Sequence, residues 1–233
     1  MMKLAIMQPY LFPYIGYFQL INAVDKFVIY DDVNFIKQGW INRNRILVGG
    51  KEFVFTIPVR DQSSFKLIKN TLIDDNKKWA KRIIKTIEQS YKQAPYFYEI
   101  IEMITKVFHS DVTFINELAL MSIMETCCYL NIETEVVSSS GIYDNAFLKG
   151  QERVLDICRR ENADLYINPI GGLQLYSKDG FKEHNIDLAF LQPRIMEYNQ
   201  LNDKFVPGLS IIDVMMFNSK EKIREWMSRF ELI

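Results

Sequence analysis

Asp31 and Asp32 directly follow the apolar run Lys26–Tyr30, and behind them come Asn34, Lys37, Gln38, Trp40, Asn42, Arg43, Asn44 and Arg45. Two adjacent carboxylates at a strand end can act as a base toward a nucleophile. Arg grips phosphate with a planar fork, while Asn offers a sugar or base both a donor and an acceptor. In extended chain Arg43 and Arg45 share one face, and Asn42 and Asn44 take the other. The set suits a polar ligand that carries phosphate, and Trp40 inside so polar a run points to a binding surface. The plain alternative is a solvated hairpin edge guarded by charges.

Three further places could take part. The first is the loop Gln8-Pro9-Tyr10-Leu11-Phe12-Pro13-Tyr14-Ile15-Gly16-Tyr17-Phe18. Its prolines stiffen it, Gly16 permits close approach, and the helix that follows presents free N–H groups to an anion. The loop lacks both GxGxxG and the P-loop pattern. Tyr14-Ile15-Gly16-Tyr17 stands where nucleotidylyltransferases carry His-x-Gly-His, without the imidazoles. The second place is Asn168-Pro169-Ile170-Gly171-Gly172, whose glycines let backbone N–H groups meet an anion or a carbonyl oxygen. The third is Asp213, a lone carboxylate in the apolar run Leu209–Asn218, which needs a partner if buried.

Several chemistries are excluded or disfavoured. His109 and His184 stand 75 positions apart, so the sequence spells no zinc cluster, and a Ser–His or Cys–His nucleophile pair would have to recruit one of these two, which read as structural or solvent-facing. Cys127, Cys128 and Cys158 give neither a CxxC pair nor an even disulfide framework, which reads as a reduced, cytoplasmic protein. Lys and Arg (28) nearly balance Asp and Glu (29), which argues against a DNA-wrapping protein. No apolar run is long enough to span a membrane, and Gln8, Pro9 and Pro13 interrupt the N-terminal run, so no signal peptide is expected. The sequence identifies no cofactor and no metal site.

Placing these residues takes a strand–loop–helix–strand unit over the first 32 positions: Lys3–Met7, a helix after Gly16, and Lys26–Tyr30. This is a βαβ pattern, which predicts a parallel pair with ligands at the carboxyl ends of its strands. Arg45–Val48 and Phe53–Pro58 flank Gly49-Gly50 as a hairpin. From Asp75 the period turns helical, with Trp79, Ile83, Ile87 and Tyr91 opposite a lysine-rich face. Further helices are expected over Tyr96–Phe108 and Thr113–Leu130. Glu133–Ser138, Leu165–Asn168 and Ile186–Leu191 read as strands, and Gly150–Glu161, Leu209–Phe217 and Glu221–Phe230 as helices. The expectation is an α/β fold with a Rossmann-like, mostly parallel sheet built from residues 1–74 and 131–233, and a helical insert or subdomain over 75–130.

Five ordered blocks carry a family resemblance: QPYLFPYIGYFQLI from Gln8, Asp25–Val28, Trp40–Arg45, Tyr166–Gly172, and the run Leu209–Asn218. Together they resemble the WbqC-like protein family over nearly the whole chain. The resemblance implies a place in O-antigen-type surface-polysaccharide (lipopolysaccharide) biosynthesis, acting on nucleotide-activated sugars. The leading expectation is a transferase that adds a small acyl or aminoacyl group, glycyl foremost, to the amine of a nucleotide-linked amino sugar. It needs an activated donor, such as an acyl or peptidyl carrier protein or an aminoacyl-tRNA, which the lysine-rich helix could dock. Asp31 or Asp32 would be the base, Arg43 and Arg45 the diphosphate clamp, and Gly171-Gly172 the oxyanion site. Gln8, Tyr10, Asn42 and Asn44 would contact the sugar, with Tyr14, Lys37, Trp40, Asn168 and Asp213 completing the site. Two alternatives are a nucleotidylyltransferase-like or ATP-dependent ligase using the first βα loop, and a non-catalytic binding protein of a polysaccharide assembly complex.

Overall fold

The computed structural model describes residues 1–201 and 204–233. The apolar runs become the strands β1 (Lys3–Met7), β2 (Lys26–Ile29), β3 (Arg43–Val48), β4 (Lys51–Thr56), β5 (Glu135–Val137), β6 (Leu165–Pro169), β7 (Asp187–Pro193) and β8 (Phe230–Leu232). The helices are α1 (Ile15–Asn22), α2 (Lys78–Tyr91), α3 (Phe97–Phe108), α4 (Ile115–Leu130), α5 (Gly150–Arg160), α6 (Lys178–Lys182), α7 (Ile211–Phe217) and α8 (Lys220–Trp226).

Among the described residues six strands form one sheet in the order β5-β2-β1-β6-β7-β8, parallel except for β8 against β7. The fold is therefore α/β with a mostly parallel, Rossmann-like sheet. Helices cover both faces. Ala5, Phe27, Ile29 and Ile167 point into a large cluster with α1, α2, α3, α4, α7 and α8. Leu4, Ile6, Val28 and Tyr166 point into a smaller one with α5 and α6. From β1 the chain builds outward to β2 and β5, then returns to place β6 on the other side of β1. The strand order reverses between β1 and β6, and at such a reversal the loops diverge and leave a crevice.

The apolar stripe of α2 is buried as its spacing predicts, and α2–α4 join the same apolar cluster as α1 and β2. Glu117 closes the start of α4 by accepting the N–H groups of Thr113 and Phe114, each at 3.0 Å. The hairpin is longer than expected, pairing Arg43–Val48 with Lys51–Thr56 outside the main sheet. Gly49 and Gly50 both take positive φ, as a two-residue hairpin turn requires. The helix expected from Asp75 begins at Lys78. The one expected over Leu209–Phe217 begins at Ile211, because Ser210 caps it with its hydroxyl on the Ile212 N–H. The helix expected over Glu221–Phe230 ends at Trp226. Phe230–Leu232 instead extends along Leu191–Pro193, where the edge of β7 offers backbone groups that a last helical turn would leave unpaired.

Candidate functional site at the carboxyl edge of the sheet

The crevice between β1 and β6 opens into a cleft of about 390 Å³, lined by Met7, Gln8, Tyr10, Tyr30, Ile36, Asn168, Gly171, Leu175 and Tyr176 among others. Tyr30 is the residue after β2, so its position at the edge follows from where the apolar run stops. Asn168 is fixed from two sides. Tyr166, stacked on Phe181 at 5.4 Å, donates its hydroxyl to Asn168 Oδ1 at 3.1 Å. The Asn168 amide nitrogen in turn occupies the space of a Cβ on Gly172, 1.7 Å from where that carbon would be. Gly172 is thus a packing requirement. Gly171 has nothing within that reach and opens toward the cleft.

A second chamber of about 230 Å³ lies beside the first, bounded by Tyr10, Pro13, Tyr14, Trp40, Asn44, Arg45, Ile195 and Gly208. Tyr10 lines both. The two loops that build this chamber are tied where the Leu11 N–H bonds the Trp40 carbonyl at 3.1 Å. Trp40 carries a guanidinium carbon from each of Arg43 and Arg45 at 5.3 Å from its ring centre. Arg45 is oriented by Glu52 at 2.7 Å and the Gly208 carbonyl at 2.9 Å. Burial raises the pKa of Tyr10, Tyr14, Tyr30 and Tyr176, so all four remain neutral hydroxyls near neutral pH. At Tyr30 the Arg153 guanidinium, 4.9 Å over the ring, opposes that shift without cancelling it.

Several residues expected at the site serve the fold instead. Asp32 is buried against Arg153 of α5 at 2.5 Å, with both side chains only 4% exposed, and its other oxygen accepts the Ser140 hydroxyl. Asp31 is buried too, accepting from Ser139 at 2.6 Å and from Asn116 at 2.9 Å. Burial pushes its pKa up, against the bonds from Ser139 and Asn116. Neither carboxylate lines a chamber, so the base expected there is not presented to a ligand. Together they clamp the end of β2 to the turn after β5, to α4 and to α5.

The alternation of residues 42–45 is real, but its inner face is structural. Asn42 donates to the Ile57 carbonyl at 2.8 Å, and Asn44 to the carbonyls of Leu11 and Phe12 at 2.8 and 2.7 Å. Asn42 thus braces the segment after the hairpin and lines neither chamber, while Asn44 braces the first loop and still borders the second chamber. Arg43 turns back onto the carbonyls of Gln38 and Gly39 and lines neither chamber, so of the two arginines Arg45 is the one that borders a chamber. Lys37 is exposed on the neighbouring turn and also lines neither. Asp213 lines neither chamber. It is buried and accepts from Tyr198 at 2.6 Å, Tyr91 at 2.7 Å and Gln200 at 2.9 Å. The Tyr14 ring and Pro193 crowd the face of Gly16, so the helix start that resembled a nucleotide loop is covered by the protein itself.

Sequence reading missed Tyr30, Tyr176, Ile195 and Gly208 in the chambers, and Ser139, Ser140, Asn116 and Arg153 behind them. Arg153 did leave a signal. It sits four residues before Ile157 on the inward stripe of α5, where a charge needs a buried partner. Both histidines are exposed, and His109 meets only the Thr105 carbonyl at 3.1 Å. Among the described residues no helix is long and apolar enough to cross a membrane.

Comparison with known proteins gives two matches that span most of the chain. The chain is 32% identical over 225 residues to Uncharacterized protein Rv1507c of Mycobacterium tuberculosis (strain ATCC 25618 / H37Rv), an alignment covering 94% of each chain. No solved structure matches it significantly. The family model described as WbqC-like protein family matches residues 8–225, a span that takes in the lining of both chambers except Ile6 and Met7, and the chain belongs to that family.

Proposed function

We propose that this protein binds a nucleotide-linked amino sugar and moves a small acyl or aminoacyl group, glycyl foremost, onto the sugar amine during assembly of a surface polysaccharide. The observation that carries this reading is the pair of chambers joined at Tyr10 over the β1/β6 reversal. One is rich in phenol and amide groups, the other pairs an indole with a guanidinium. A ligand with a sugar at one end and a base and phosphates at the other has that same division. The cleft volume lies within the range of small-molecule sites.

The chemistry is then mainly positioning. The amine nitrogen attacks the carbonyl carbon of a thioester or ester donor, and the carbon–sulfur or carbon–oxygen bond breaks. The leaving atom keeps the electron pair and takes the proton released from nitrogen. The Gly171 backbone stands at the cleft wall as the candidate support for the developing oxyanion. The neutral tyrosine hydroxyls can relay hydrogen bonds to the sugar. The test is mass spectrometry of a UDP- or dTDP-linked amino sugar incubated with the protein and a glycyl thioester. Addition of one glycyl group to the nucleotide sugar is the expected result. A nucleotide sugar left unchanged while the thioester merely hydrolyses would contradict the transfer.

A further inference from the structure

We infer that the two chambers hold opposite ends of one ligand in a fixed order: the diphosphate and base at Arg45 and Trp40, and the donor-bearing sugar end at Gln8. This rests on the nucleotide-sugar reading above and goes further by orienting the ligand within the site.

Two orphaned atoms set this order. Gln8 Oε1 and Arg45 Nε are both buried without a hydrogen-bond partner. Buried polar atoms in folded proteins are nearly always bonded, because an unmade bond leaves the full desolvation cost in place. One of these residues lines each chamber, and their chemistry is opposite. Arg45 Nε can only donate, so the second chamber calls for an acceptor-rich, anionic group. Gln8 Oε1 can only accept, so the cleft calls for an N–H or O–H. An amine or hydroxyl on a sugar supplies that, and a diphosphate supplies the other.

Two more features support the same order. The other nitrogens of Arg45 are anchored by Glu52 and the Gly208 carbonyl, so the guanidinium is already oriented before any ligand arrives. Trp40, an indole, lines that chamber beside Arg45, whereas the aromatic side chains of the cleft are the phenols Tyr10, Tyr30 and Tyr176. A base next to a diphosphate held at Arg45 has the Trp40 indole within the same chamber to stack on. Tyr10, common to both chambers, marks where the ligand crosses from one to the other.

The experiment titrates UDP and dTDP, each alone and linked to an amino sugar, into the wild type and into the R45A, R45K and Q8L variants. Heat and tryptophan fluorescence are followed, and thermal melts establish the folded fraction. R45A should weaken the free nucleotide and its sugar conjugate by the same factor, about ten- to a hundredfold, with partial recovery in R45K. Q8L should leave the free nucleotide unchanged and weaken only the conjugate, by about three- to tenfold. If the wild type binds the conjugate but Q8L weakens the free nucleotide equally, or folded R45A and R45K bind it as well as the wild type, the order is wrong while the nucleotide-sugar reading stands. If the wild type binds neither nucleotide nor conjugate, the underlying reading fails as well.

Discussion

Asp213 illustrates how a single buried carboxylate can be told apart from a catalytic one. It lies among Tyr91, Tyr198 and Gln200 with three donors on its two oxygens. Burial raises its pKa, in spite of the bonds from Tyr198, Tyr91 and Gln200 that favour the charged form. A raised value means the folded state holds this proton more tightly than the unfolded chain does. Its contribution to stability is thus fully present below the unfolded carboxylate value and is lost as pH rises through the folded one. The stability difference between wild type and D213N, followed by urea unfolding from acid to neutral pH, should shift against the wild type as pH rises. Affinity per folded molecule should stay the same. A difference that is flat with pH, or a loss of binding without loss of stability, would return Asp213 to the site. The sequence already showed that so isolated a charge needs partners. It could not show that the partners would be two phenols and an amide rather than an arginine, because Tyr91 lies 122 positions away.

At the scale of elements, the parallel sheet was legible because each strand is a short apolar run closed by a polar or proline residue. The edge residues Gln8, Asp31 and Asn168 could be placed on the same ground. The hairpin's displacement from the sheet and the turn of the last residues into β8 were not legible. Both depend on which backbone edges remain free after the sheet has formed, a property of the assembled fold. The same limit hid the clamp of Asp31 and Asp32 to Ser139, Ser140, Asn116 and Arg153, whose separations are 85 to 121 positions. The junction after β6 offers a direct test at this scale. A Cβ on Gly172 would meet the Asn168 amide, which is itself held by Tyr166. Gly172→Ala should therefore push Asn168 into the cleft, cost about 1–3 kcal/mol by overpacking, and weaken ligand binding. Gly171→Ala, with open space around it, should do little to stability. Equal melting temperatures for the two variants would contradict this account of the junction.

Taken as a whole, the molecule is one mostly parallel sheet whose strand reversal opens a two-chambered site, with its carboxylates turned inward to hold the walls. Loops after β1, β2 and β6, together with residues 195 and 208 near the C-terminal part of the chain, meet there. If this edge binds a nucleotide-linked amino sugar, calorimetry on the wild-type protein detects the complex without any assumption about the reaction. The ligands to compare are UDP- and dTDP-linked amino sugars on one side and ATP with magnesium on the other. The expected result is a saturable one-to-one isotherm with a nucleotide sugar, abolished or strongly weakened by Tyr10→Ala at the residue common to both chambers, and no heat with ATP. Binding of ATP with magnesium and none of either nucleotide sugar would contradict it.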